Sequence, residues 1–152
     1  MEPPAFYTEG VETGMITDSI VTIYNRRLTA DNEEILIPTV IRDATWFYGR
    51  RSSGGQFSDN EDSYSVRIPF DADTSGKTYV EPWEWKNLTD EQASVHWTIQ
   101  NDDVVVRGEM TEMVSDQTEI MKVTENCFVV NSFANNTIRG SNRVKHWRIG
   151  GI

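Results

Sequence analysis

One cysteine and two histidines are all that these 152 residues hold, and that scarcity excludes a good deal of chemistry. A single thiol forbids an internal disulfide, and Cys127, set in the apolar run Cys127-Phe128-Val129-Val130, reads as a small core residue. His96 and His146 lie far apart, each beside a tryptophan in a strand-like pattern, so no zinc spacing can be drawn. No nucleophile elbow or comparable signature surrounds any serine or the cysteine. The expectation is therefore a protein that is not an enzyme, with no catalytic residue, no bound metal and no cofactor. Long hydrophobic runs are missing too, and the start Met1-Glu2-Pro3-Pro4 lacks the basic and apolar blocks of a signal peptide. The chain reads as a soluble protein made inside the cell, with no membrane partner.

Positive charge is also scarce, with 14 Lys and Arg against 24 Asp and Glu and a net charge of −10. A protein that grips nucleic acid through phosphates needs clustered cations, and most of this chain has none. The exception is the end of the chain. From Asn126 onward there are four basic residues, Arg139, Arg143, Lys145 and Arg148, and no acid, which leaves 10 basic and 24 acidic residues before it, a charge of −14. That asymmetry suits a surface made for docking, although a charge that merely keeps the protein soluble explains the acidic part equally well.

What is present is β pattern. The composition, 38% hydrophobic and 11% aromatic, fits one globular domain over residues 15–152, with 1–14, rich in Pro, Gly and Glu, as an N-terminal extension or arm. Ile20 to Tyr24 alternates as a half-buried strand, and Arg26, Arg27 and the polar run to Glu34 read as a turn. Ile35 to Tyr48 is β-branched and aromatic, with Pro38 suited to an edge or a break between two strands. Gly49 to Ser63 reads as a long mobile loop. Tyr64, Val66 and Ile68 share a strand face, Asp71 to Gly76 is turn chemistry, and Tyr79 to Trp85 resumes an extended pattern. Val95–Gln100 and Val104–Gly108 flank Asn101-Asp102-Asp103 as a hairpin would. The spacing of Met110, Met113, Val114, Ile120 and Met121 permits one short helix. Val123, Phe128 and Val130 continue the β pattern, and His146 to Ile149 forms a last strand before Gly150-Gly151. The fold class is all-β, a barrel or sandwich with at most one short helix and a long loop.

Acidic pairs are plentiful without singling out two for catalysis, and Asp71-Ala72-Asp73 lacks the later glutamate of a calcium loop. The sequons at Asn87 and Asn135 carry little weight without a secretory signal. Trp83 and Trp85, two apart, would share one face of a strand. They either cover the core or form an aromatic platform for a sugar ring or a partner subunit, so a carbohydrate-binding β-sandwich stays open as an alternative.

The run Met15-Ile16-Thr17-Asp18-Ser19-Ile20-Val21-Thr22-Ile23-Tyr24-Asn25-Arg26-Arg27, followed by Pro38-Thr39-Val40-Ile41-Arg42 and Trp46-Phe47, resembles small neck proteins of tailed bacteriophages that infect Gram-positive bacteria. Arg67-Ile68-Pro69 with Tyr79-Val80 and Pro82, the stretch Thr98 to Gly108, and His146-Trp147-Arg148-Ile149-Gly150-Gly151 are similar to further parts of those proteins. The resemblance spans Met15 to Ile152. It implies a virion protein of the head-tail junction, a head-closure or stopper subunit whose relatives are β-barrels with extended loops and form homo-oligomeric rings below the portal and adaptor and above the tail. A tail-terminator or other tail-proximal neck protein is the alternative within that group. DNA would pass through the lumen without specific binding. On that reading Arg139, Arg143, Lys145 and Arg148, with Trp83 and Trp85, are candidate subunit-interface residues. Arg50, Arg51, Phe57, Asp59, Glu61 and Asp62 of the long loop would face the lumen or an adjacent ring.

Overall fold

The computed structural model describes residues 19–50 and 62–152. Among the described residues, eight strands run β1 (Ser19–Leu28), β2 (Glu34–Arg50), β3 (Asp62–Pro69), β4 (Thr78–Tyr79), β5 (His96–Trp97), β6 (Val104–Arg107), β7 (Cys127–Asn136) and β8 (His146–Gly151). Three single-turn helices, α1 (Pro82–Trp85), α2 (Asp90–Ala93) and α3 (Gln117–Met121), lie between them. Six strands close into an antiparallel barrel in the order β1-β2-β3-β8-β7-β6, and the short β4 and β5 pair in parallel outside it. The all-β expectation is met in its barrel form, with three short helices where at most one was expected, and closure removes the exposed edges that an open sheet would carry.

The alternation of apolar residues explains which face of each strand turns inward. Val21, Ile23, Ile41, Val66, Ile68, Val105, Phe128, Val130, Trp147 and Ile149 fill the interior together with Trp97 and Ile99. On the outside of β1 and β6 the intervening residues Tyr24, Val104 and Val106 form a second apolar cluster with Leu36 and Ile120. The segment after β6 covers that cluster. Val114 bridges Leu36, the Tyr24 hydroxyl donates to Glu112 O at 2.9 Å, and α3 supplies Ile120. Strands β1 and β6 are thus buried on both faces, which is why Ile20–Tyr24 shows a buried residue at every position except Ile20.

Several expectations are corrected. Arg26 and Arg27 belong to β1, which pairs as far as Leu28↔Glu34, so the turn is only Thr29–Glu33, with Asn32 at φ 62°. Pro38 does not break β2, which runs 17 residues and changes partner from β1 to β3 near Ala44. The Leu36 N–H donates away from β1 to Val114 O, so two residues on the Pro38 nitrogen also faces away from the ladder and no bond is lost. Irregularities in register at Ser19/Val21 and at Val130/Ser132 bend the barrel wall.

The long loop is shorter than its composition suggests, because Gly49↔Ser63 and Arg50↔Asp62 are paired. Of the loop residues singled out, Arg50 and Asp62 are therefore strand ends, while Arg51, Phe57, Asp59 and Glu61, like the 1–14 arm, lie outside the described residues.

Val95–Gly108 is not a hairpin, since β5 pairs with β4 and β6 with β1 and β7. Tyr79–Trp85 is extended only at its start, because Glu81-Pro82-Trp83-Glu84 forms a reciprocal capping box with proline at the first turn and nucleates α1. Val123 lies outside any strand and is 71% exposed. Gly150 and Gly151 stand inside β8 rather than after it, and a Cβ on Gly151 would collide with Val129 O and the Phe128 ring. Among the described residues no helix is long and apolar enough to cross a membrane.

Candidate interaction surfaces

The connection from β3 to β6 closes one end of the barrel, and a polar network of unusual depth ties it there. Asn25 on β1 donates to Thr98 O at 2.7 Å and accepts from the Thr98 N–H at 3.0 Å. Its amide also donates to the Asp103 carboxylate at 2.8 Å, which further accepts from the Arg26 N–H at 2.9 Å and from Gln100 at 3.3 Å. Asp103 is fully buried. Burial pushes its carboxyl up to about 7, against the opposing pull of the hydrogen bonds from Arg26, Asn25 and Gln100. This residue looked like a turn former, and only the depth of its burial distinguishes it from Asn101 and Asp102.

The same end is stapled a second time by Arg27, whose guanidinium donates to Trp85 O, Leu88 O and Asp90. The Trp85 indole N–H donates to Arg26 O at 3.1 Å, so α1 and α2 are tied to β1 from both sides. Trp85 is consequently 1% exposed while Trp83 is 64% exposed. The two tryptophans do not share a face, because a helical turn replaces the expected strand. The aromatic pair Trp97 and Trp147, edge to face at 5.1 Å, lies beneath with Tyr79 against both.

The β7–β8 connection, residues 137–145, emerges at this closed end, beside the C-terminal end of β3. Phe70 N–H donates to Lys145 O at 3.0 Å, and the Lys145 ammonium lies 6.0 Å from the Phe70 ring centre. The Asn135 amide reaches Glu81, the N-cap of α1, at 2.9 Å. That bond sets α1 and the connection side by side, so the exposed side chains Trp83, Ile138 and Val144 are presented at one end of the barrel with Arg139 and Arg143. Neither arginine forms an ion pair with a described residue. Of the predicted interface set, the structure brings Trp83, Arg139, Arg143 and Lys145 to this end, buries Trp85 and places Arg148 elsewhere, on the outer wall. His146 at the same end meets Val144 O and Asn136, His96 meets Gln92 O, and Cys127 is half-buried against the outer cluster. Among the described residues no three metal-ligating side chains converge.

The outer wall of β3 and β8 carries Arg67 directly opposite Arg148, and Arg67 is a residue that sequence reasoning passed over. Its alternation with Val66 and Ile68 put it outside, but only the register could put it beside a second arginine.

The whole defines a class, a small closed antiparallel barrel with a plugged interior and exposed apolar and basic side chains at one end. The chain belongs to a family of unknown function (DUF6751), whose pattern matches residues 16–152. No curated protein and no solved structure matches it.

Proposed function

We propose that this protein is a structural subunit of the neck of a tailed bacteriophage, a head-closure or stopper component that forms a homo-oligomeric ring beneath the portal and adaptor and through which packaged DNA passes. The resemblance along Met15 to Ile152 supplies the biological setting. The observation that carries the reading is the closed barrel end, where Trp83, Ile138 and Val144 stand exposed beside Arg139 and Arg143. Exposed tryptophan, aliphatic and arginine side chains together are the composition of an interface centre. An acidic remainder suits a component past which phosphate must slide without sticking.

A tail-terminator would use the same surfaces one layer further from the head. The carbohydrate-binding alternative rested on a two-tryptophan platform, and with Trp85 buried and bonded to Arg26 O that support is gone.

Electron microscopy of the purified protein mixed with its cognate portal and adaptor assembly tests the proposal. An added axial layer at the tail-facing end is the expected result. A layer that forms only on isolated tail tubes moves the assignment to a terminator, and no layer on either overturns the neck reading.

A further inference from the structure

The barrel wall holds an arrangement that the described residues leave uncompensated. Arg67 and Arg148 are directly opposite each other on neighbouring strands, both exposed, and neither forms an ion pair with a described residue. Like charges in that relation oppose strand pairing. Register aligns Phe47, Ser65, Gly150 and Ser132 in the adjacent row and Thr45 and Ala134 in the same row. A Cβ on Gly150 would lie 2.8 Å from Ser132 Oγ, so a larger residue there would displace that hydroxyl. Phe47 is 47% exposed, with the Arg67 guanidinium 5.8 Å from its ring centre.

Strand order places the opposite wall of the barrel at β6 and β1, and that wall is covered by the segment from Glu109 to Glu125. This cover exposes Glu112, Asp116, Glu119 and Glu125 against a single Lys122. Glu109 is already engaged by Arg42. Between the acids stand Met113, Met121 and Val123, all exposed. One side of the molecule thus offers arginines around an aromatic ring, and the other offers carboxylates around flexible apolar side chains. They lie on opposite sides of a barrel and cannot meet within one molecule.

We infer that the occupant of the Arg67–Arg148 wall is the acidic cover, Glu109–Glu125, of a second copy of this chain. The contact is heterologous, head to tail, so each copy uses both faces and the series closes into a ring when the rotation per step permits. The inference rests on the ring-forming part of the proposed function and goes beyond it by naming the two surfaces. It assigns the barrel end with Trp83, Arg139 and Arg143 to neighbouring layers instead of to lateral contacts.

Charge exchange tests it. One variant carries R67E and R148E, the other E112K and E125K, and all four positions are exposed, with near-ultraviolet circular dichroism checking that each variant keeps native packing. Sedimentation of the isolated wild type up to millimolar concentration is expected to show self-association that weakens with salt. Each variant alone is expected to associate at least about tenfold more weakly, because both of its faces then carry one sign. Mixing the two variants restores association, since each face of one now complements a face of the other. If a variant is misfolded, R67Q/R148Q replaces R67E/R148E and is expected to weaken association without the rescue.

A wild type that stays monomeric throughout, variants that associate like the wild type, or folded charge-swapped variants that fail to rescue each other overturn the inference. None of these outcomes bears on whether the protein adds a layer to a portal and adaptor, so a failed interface and a failed neck assignment are told apart.

Discussion

Replacing Asp103 with asparagine removes one ionisable group from the deepest polar site of the protein and sets burial against hydrogen bonding in a measurable way. Burial disfavours the carboxylate, whereas the Arg26 N–H, Asn25 and Gln100 favour it, and burial prevails, moving the group from 3.8 to about 7. A carboxyl whose folded value lies above its unfolded value contributes stability that is fully present below the unfolded value and is lost as pH rises through the folded one. The window is therefore from about 4 to about 7. Between about pH 8 and about pH 5 the wild type should gain roughly 2–3 kcal/mol from this group alone, taking about 1.4 kcal/mol per unit. Asp103→Asn lacks that gain. It also turns an amide N–H₂ toward the donors of Asn25 or Gln100, at a cost of about 1–3 kcal/mol. Urea unfolding of both proteins at the two pH values isolates the group, because the remaining carboxylates are common to both. The expected result is a difference in stability that widens by roughly 2–3 kcal/mol on acidification. Parallel pH dependence would refute the raised pKa. A difference that narrows on acidification would show that the hydrogen bonds outweigh burial and that Asp103 is an ionised staple.

Three further outcomes are expected. Gly151→Ala forces a methyl group into Val129 O and the Phe128 ring, and thermal unfolding should show a loss of about 1–3 kcal/mol or more from overpacking. Trp85→Ala should cost about 3–5 kcal/mol and Trp83→Ala within about 0.5 kcal/mol in chemical denaturation, and equal costs would contradict their opposite burial. Arg27→Met removes the guanidinium donor from Trp85 O and Leu88 O, so hydrogen exchange in α1 and α2 should accelerate while β6 and β7 stay protected; unchanged exchange in α1 would show that Arg27 does not staple it.

The strands were legible where one face of the chain is apolar, as at Tyr64-Val66-Ile68, because period-two alternation is a local signal. Their partners were not. Val95–Gly108 looked like a hairpin because turn residues stand between two apolar stretches. The depth of the Asn25–Asp103 bond, together with pairing between β6 and β1, sends those stretches to different neighbours. The helices at Pro82 and Asp90 had readable capping boxes, Glu81 with Glu84 and Thr89 with Gln92, and the alternation of Trp83 and Trp85 hid the first of them. Charge asymmetry singled out a basic end of the chain, but the pairing of Arg148 with Arg67, 81 positions away in sequence, is a product of register. No composition count contains it.

The plugged barrel constrains the proposed function in a way that the sequence could not. Trp97, Ile99, Trp147 and Phe128 fill the space enclosed by the six strands, and a barrel of so few strands has room only for side chains. A duplex cannot pass through the subunit. If DNA passes this protein, it passes through the centre of a ring, and the wall it meets is an outer surface of each barrel. The two walls assigned to lateral contacts, β3–β8 and the cover of β1–β6, are then unavailable, and so is the closed end if neighbouring layers dock there. What remains around the barrel are the outer sides of β2 and β7, which lie opposite each other in the strand order. In such a ring one of them would face the channel and the other would face out. The β2 side carries Asp43 in the open, whereas the outer positions of β7, Ser132, Ala134 and Asn136, are uncharged and the first two adjoin the arginine wall. A wall that must repel phosphate is better served by β2, and substituting Asp43 with lysine should slow DNA ejection from assembled particles, whereas an unchanged rate would refute a channel-facing β2.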